Sequence, residues 1–125
     1  MTSKTRIGFV GCGGIAQWCH FNRLPQIPGV EISALFDLSK PQVEKALKRF
    51  PGSRAYGSVS DLVKFSGVDA VYVCVPPMGH GEAERACARK GMPMFIEKPL
   101  SNTLKTAGEL KALVKKSGVL CSVGY

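Results

Sequence analysis

The segment Gly11-Cys12-Gly13-Gly14-Ile15-Ala16 constrains this chain more than any other part of it. It follows the apolar run Arg6–Gly11 directly, and a helical pattern opens within it, from about Gly14 to Asn22. A G-x-G-x-x-A loop in that place has three steric tasks. Gly11 permits a tight turn, Gly13 lets the backbone approach a pyrophosphate, and Ala16 is small enough for the helix to pack close on the strand. The helix start then presents unpaired N–H groups and the positive end of its dipole to phosphate. Alone the loop is weak; lying between a strand and a helix, it is specific.

The rest of the chain repeats the alternation. Val30–Asp37 reads as a strand, followed by a helix from Lys40 to Phe50. Val43, Ala46, Leu47 and Phe50 give that helix one apolar face, and Ser39 and Gln42 have capping-box spacing at its start. Arg54–Tyr56 is a weak third strand. Ser58 and Asp61 form a second capping pattern before a short helix that ends near Gly67. Ala70–Val75 is wholly apolar and suits a central strand buried on both faces. A helix from Gly81 to Lys90 carries Ala83, Ala86 and Cys87 inward, and Met94–Glu97 is the next strand. Thr103–Ser117 is a helix stopped by Gly118, and Val119–Val123 is the last strand. Repeated βαβ units predict an α/β fold with right-handed crossovers. The expected architecture is a Rossmann doubly wound parallel sheet, strand order 3-2-1-4-5-6, with helices on both faces.

Length and composition narrow the function. At 125 residues and 45% hydrophobic, residues 1–125 make one domain with a real core. No apolar stretch reaches the roughly 18–20 residues of a membrane span. The opening Met-Thr-Ser-Lys-Thr-Arg lacks a secretory apolar region, so a cytoplasmic location is expected. The five cysteines, Cys12, Cys19, Cys74, Cys87 and Cys121, contain no C-x-x-C pair. That argues against a disulfide framework and a metal site. Most are expected to serve as small hydrophobes, although Cys12 lies near a helix N-terminus, where a thiol pKa can fall. The net charge of +8 is spread along the chain rather than gathered in a basic run. Lys48, Arg49, Arg89, Lys90, Lys115 and Lys116 fall late in helices, where the dipole favours cations. This is not a nucleic-acid footprint; it is a solvated surface that also attracts an anionic cofactor.

Asp37 ends the second strand roughly 20 residues past the loop, where an acid can accept hydrogen bonds from the ribose hydroxyls of NAD. It would repel the 2′-phosphate of NADP, a preference that Lys40 and Arg6 can soften. The plainer reading is that Asp37 caps the turn that follows it. NAD is therefore the expected cofactor, with NADP possible. Cys74-Val75-Pro76-Pro77-Met78-Gly79-His80 closes the fourth strand at the switch point where ligands sit. His80 either touches the ligand or packs against the next helix turn. Glu97-Lys98-Pro99-Leu100 ends the fifth strand, aimed at the same crevice. A cis Lys98–Pro99 bond is one way to fix the lysine's direction.

The glycine loop, Asp37, the V-P-P-x-x-H segment, Gly91 and Glu97-Lys98-Pro99 together resemble the Gfo/Idh/MocA oxidoreductases. The resemblance covers the whole chain through Val123-Gly124-Tyr125 but only the family's N-terminal half. It implies that Gly11, Cys12, Gly13, Gly14 and Ile15 hold the pyrophosphate, and that Asp37 holds the adenosine ribose. It implies that Cys74, Val75, Pro76, Pro77, His80 and Glu97 line the nicotinamide side. Lys98 would sit beside both the nicotinamide and the reacting hydroxyl. The family's acid–base histidine belongs to a second, substrate-binding and oligomerising domain, for which this chain has no position. The expected role is thus the dinucleotide-binding half of a dehydrogenase for a sugar, cyclitol or related hydroxy compound. A stand-alone nucleotide-binding or redox-sensing module and a Gly-loop methyltransferase are the competitors.

Overall fold

The computed structural model describes residues 3–125; Met1 and Thr2, the start of the polar lead into the first strand, lie outside the described residues. Strands β1 (Thr5–Val10), β2 (Val30–Phe36), β3 (Arg54–Ala55), β4 (Ala70–Val73), β5 (Met94–Ile96) and β6 (Cys121–Val123) form one sheet. Its order is β3-β2-β1-β4-β5-β6, the doubly wound order expected. Every neighbouring pair is parallel. Ser33 is an extra residue in β2, because Ile7 pairs with Ile32 while Gly8 pairs with Ala34. Such a bulge bends the strand that carries it.

The sheet is packed on both faces. Val10, Val71, Val73, Met94 and Ile96 meet Leu62 and Val63 of α3 (Val59–Phe65) and Ala83 and Cys87 of α4 (Glu82–Lys90). Helix α5 (Leu104–Ser117) adds Leu113 and Val114 to the same layer. On the other face Ile7, Phe9, Ile32 and Leu35 lie under Ala16, Phe21 and Leu24 and under Ala46 of α2 (Lys40–Arg49). Phe9 and Leu35 are wholly buried, each contributing about 1.5–3 kcal/mol by removal from water.

Four local expectations need correction. The first helix opens at Gly14, as expected, but is not a regular α-helix. It is a π-helical turn, Ala16–His20, that runs into α1 (Phe21–Arg23) and a 3₁₀ turn, Leu24–Gln26. Wide turns of this kind recur at functional sites, and here the turn lets His20 and Phe21 both face the sheet. The Ser39–Gln42 capping box does not form; Ser39 makes no side-chain cap, and the Gln42 side chain accepts from Gln17 instead. Strand β4 is buried fully only at Val71 and Val73, while Ala70 and Tyr72, on the opposite face, are half-buried. In α4, Ala86 is half-buried and Glu84 takes the buried place beside Ala83 and Cys87. Ser58 does cap α3, accepting from the Asp61 N–H at 3.0 Å.

Candidate functional site

The carboxyl ends of β1, β2 and β4 open on one crevice, because the strand order reverses between β1 and β4, and β5 ends at the same edge of the sheet. Its first wall is main chain. Gly11 has φ +98°, and a Cβ there would lie 2.2 Å from the Cys74 carbonyl oxygen, so no side chain fits. Its N–H donates to the Phe36 carbonyl at 2.8 Å, and the Cys74 N–H to the Val10 carbonyl at 2.7 Å. These bonds carry the pairing one residue beyond each strand. At Gly13 and Gly14 a Cβ would meet nothing within 4 Å, so the loop faces open space at the height of the helix start. The first helical bond runs from the Gln17 N–H to the Gly13 carbonyl, which leaves the N–H groups of that turn to external acceptors.

Asp37 caps the turn that follows it, the plainer of its two readings. Its Oδ1 accepts the Ser39 N–H at 2.8 Å, an Asx turn, and its Oδ2 accepts the Cys12 N–H at 2.8 Å. Those two bonds fix the carboxylate beside the glycine loop with lone pairs to spare. Gln17 ties the same corner to α2, donating to the Cys12 carbonyl at 2.7 Å and to Gln42 Oε1 at 2.8 Å. A cavity of about 340 Å³ lies between Gly11, Gly13, Asp37, Ser39, Val75 and Pro76. Among the described residues no lysine or arginine lines it, and Asp37 and Glu82 give it acidic walls. Lys40 lines the adjoining depression beyond Asp37 and Leu38. Arg6 is no counterweight to Asp37. It sits at the amino end of β1, its N–H bonded to Asp69, and its guanidinium lies against Gly67.

The open loop and the fixed acid fit a dinucleotide. The space that a Cβ would fill at Gly13 and Gly14 is free for a phosphate, and the Asp37 oxygens accept only donors.

The second wall is made by side chains. Pro76 and Pro77 lack the N–H to extend β4 and turn the chain out of the sheet; Val75 and Pro76 face the cavity. Glu97 and Lys98 follow β5 directly, and Lys98 is exposed. The Lys98–Pro99 bond is cis. Glu97 Oε2 accepts the Lys98 N–H at 2.9 Å, and its Oε1 lies 3.3 Å from His20 Nε2. His20 is the residue the sequence reading missed. Nothing in its local pattern marks it, because its partner is 77 residues away.

His80 stands apart from the crevice. Its side chain is fully buried, with Nδ1 against Glu84 Oε1, and Glu84 Oε2 accepts the Gly81 N–H at 2.6 Å. This contact with Glu84 is the packing against the next helix turn that was one of the two places expected for His80. The reason is that Glu84 needs a partner once α4 buries it. Cys12 is a small buried side chain in the turn, and the helix start does not lower its pKa. Burial, and then the negative charge of Asp37, push the Cys12 thiol up to about 12. Burial raises Cys74 too, with Glu97 adding to it. Both thiols are protonated floor atoms rather than nucleophiles.

No described helix is long and apolar enough to cross a membrane. Scyllo-inositol 2-dehydrogenase (NAD(+)) from Bacillus subtilis is 26% identical to this chain, over 100% of it and 36% of the relative. Myo-inositol 2-dehydrogenase from Thermotoga maritima is 30% identical over 96% of this chain and 36% of that enzyme. The chain thus spans about a third of the length of these curated relatives. Among solved structures, a mutant 3-ketoreductase from Actinomadura kijaniata in complex with TDP-benzene and NADP superposes with a TM-score of 0.85 at 28% identity. That match covers 98% of this chain and 39% of the other. Apo scyllo-inositol dehydrogenase from Lactobacillus casei shares the fold at a TM-score of 0.88 and 22% identity, over 99% and 38%. The model of the oxidoreductase family with an NAD-binding Rossmann fold matches residues 5–125. The chain therefore belongs to the Gfo/Idh/MocA oxidoreductase family and is its NAD(P)-binding Rossmann domain.

Proposed function

We propose that the whole protein is an NAD-dependent dehydrogenase of a sugar, cyclitol or related polyhydroxy compound, with a second domain completing the substrate pocket. The observation that supports this is that the glycine loop and Asp37 line one cavity at the carboxyl ends of β1, β2 and β4, while Lys98 follows β5 at the same edge of the sheet. The relatives named as inositol dehydrogenases support the substrate class.

The Gly11–Ile15 turn would hold the pyrophosphate by its N–H groups, and Asp37 would accept from the adenosine ribose. Cys74, Val75, Pro76, Pro77 and Glu97 would bound the nicotinamide side. The bound nicotinamide supplies the hydride chemistry. Lys98, exposed at the rim, would hydrogen-bond the substrate oxygen and stabilise the charge that develops on it. The group that removes the hydroxyl proton comes from outside this domain. NAD is favoured over NADP because the cavity has acidic walls and no lining cation among the described residues.

Titration of this chain with NAD, NADH, NADP and NADPH tests the assignment. NAD should bind more tightly than NADP, and Asp37→Ala should weaken NAD by about tenfold, about 1.4 kcal/mol, while narrowing the gap to NADP. An unchanged NAD-to-NADP ratio in the variant removes Asp37 from the ribose.

A further inference from the structure

We propose that His20 is a positioning residue for Lys98. It holds the Glu97 carboxylate in the orientation that fixes the Lys98 N–H, and so ties the Lys98 corner to the helix that opens from the glycine loop. The proposal rests on the reading above, in which Lys98 faces the reacting oxygen.

Four observations support it. The His20 and Glu97 side chains are each only 13% exposed. A carboxylate so far withdrawn from water needs polar partners, and Glu97 has one on each oxygen, His20 Nε2 at 3.3 Å and the Lys98 N–H at 2.9 Å. Second, among the described residues Glu97 makes its ion pair with His20 and not with the Lys98 ammonium. The carboxylate thus acts on Lys98 through the main chain and leaves the ammonium free for a ligand. Third, the imidazole is held edge-on to Tyr72 at 5.1 Å and 74°, and to Phe95 at 5.5 Å and 71°. Those two rings stack on each other at 4.8 Å, so the imidazole cannot rotate away without leaving both. Fourth, β6 closes on the same corner. A Cβ on Gly124 would stand 2.8 Å from Phe95 Cζ and 3.3 Å from Glu97 Oε2.

His20 sits in the π-helical turn that begins at Ala16, the last residue of the glycine motif. The connection from loop to lysine therefore runs through one imidazole and one carboxylate. Any displacement of that turn on seating a dinucleotide is delivered to the Lys98 main chain, a contiguous physical link rather than an inferred pathway.

Two-dimensional ¹H–¹⁵N spectra of this chain, recorded from about pH 5 to 8 where imidazoles titrate, test the link. The titratable groups near the pair are Tyr72 of β4, edge-on to the imidazole, and Cys74 just beyond β4, which feels the Glu97 charge. Cys12, Cys74 and Tyr72 are raised from already alkaline values, so their titration is not expected to intrude on this range. The Lys98 amide proton should shift with the same midpoint as the His20 ring signals. In His20→Phe, which keeps an aromatic neighbour for Tyr72 and Phe95, that step should vanish. A Lys98 amide that stays flat while His20 titrates overturns the proposal, as does an unchanged step in His20→Phe. Should His20→Phe fail to fold, the native titration decides alone. NAD added to the same samples judges the underlying reading separately. A coupled titration with no NAD-induced change at Lys98 upholds the His20 link and defeats the catalytic role of Lys98.

Discussion

On the β1–β2 side of the crevice the main chain does the positioning; on the β4–β5 side side chains do. Gly11, Gly13 and Gly14 shape the first side by having no Cβ, and its acid, Asp37, is bonded to two backbone N–H groups. The second side stands on one imidazole–carboxylate pair, His20–Glu97; the other such pair of that half of the sheet, His80–Glu84, is fully buried apart from the crevice. Main-chain geometry tolerates no substitution at its tightest point. Side-chain pairs tolerate a swap only when both partners change together, since removing one leaves the other desolvated and unpaired.

That contrast predicts where damage is worst. Gly11→Ala should be the most severe single change. It combines a positive φ that costs an L-residue about 1–2 kcal/mol with a Cβ 2.2 Å from a backbone oxygen that cannot move without breaking the β1–β4 pairing. The expected loss is on the order of 4 kcal/mol or more, a large share of the 5–15 kcal/mol typical of a domain. Thermal unfolding checks it, and a Gly11→Ala protein as stable as the native one breaks the claim that the first side is rigid main chain.

Glu84→Ala ranks next. It leaves His80 buried with neither nitrogen partnered, since Nε2 already has no partner among the described residues, and it strips the acceptor from the Gly81 N–H. The expected cost is about 3–5 kcal/mol, read by denaturant midpoint at constant m-value. The sharper measurement is the double variant His80→Leu with Glu84→Leu, which should recover most of that loss because the apolar pair needs no partner. If the double variant is as unstable as the single one, the pair is needed for more than mutual satisfaction.

These two sides also differ in how much of them could be read from sequence. The glycine loop and Asp37 were legible because backbone demands leave fixed residue types at fixed spacings: Gly where φ is positive, a small residue where helix meets strand, an acid at a strand end. The sheet order followed from the same alternation of apolar runs and helical periods. Glu97-Lys98 was legible as a motif, but its partner His20 was not, because a contact across 77 residues leaves no periodic trace. His80 was ambiguous for the same reason; the burial that decides its role is set by Glu84, a charged residue on a face expected to be apolar. Ser39 and Gln42 had capping spacing, yet Asp37 and Gln17 outcompeted them for each other's hydrogen bonds.

Alkaline pH loads both sides in parallel. Cys12 within the glycine loop and Cys87 on the buried face of α4 are both raised from 9.0 to about 12, chiefly by burial. A raised folded pKa means the contribution to stability is complete below pH 9 and is lost as pH climbs towards 12, because the unfolded chain releases protons that the folded one keeps. Each thiol should therefore steepen the fall by up to about 1.4 kcal/mol per pH unit in that window. Cys12→Ala and Cys87→Ala should each flatten the slope of unfolding free energy between pH 9 and 12 without altering it at pH 7. A flattening at Cys87 alone would mean that the floor of the glycine loop is wetter than its packing against Phe36 and Asp37 implies.

The smallest expected effect on stability falls on the residue given the most chemistry. Lys98 is exposed, and the contact recorded for it is made by its main-chain N–H, which any residue but proline supplies. Lys98→Ala should thus leave the thermal midpoint within about 0.5 kcal/mol of native and leave NAD affinity in this domain almost unchanged. In the whole protein it should lower kcat by about 100-fold or more, since a donor that stabilises developing charge acts in the transition state rather than in ground-state binding. The two measurements together separate the sides of the crevice. A variant that binds NAD normally and turns over poorly places seating on the main-chain side and chemistry on the side-chain side. A variant that loses NAD instead makes Lys98 a cofactor ligand, and the division between the two sides fails at the residue on which it most depends.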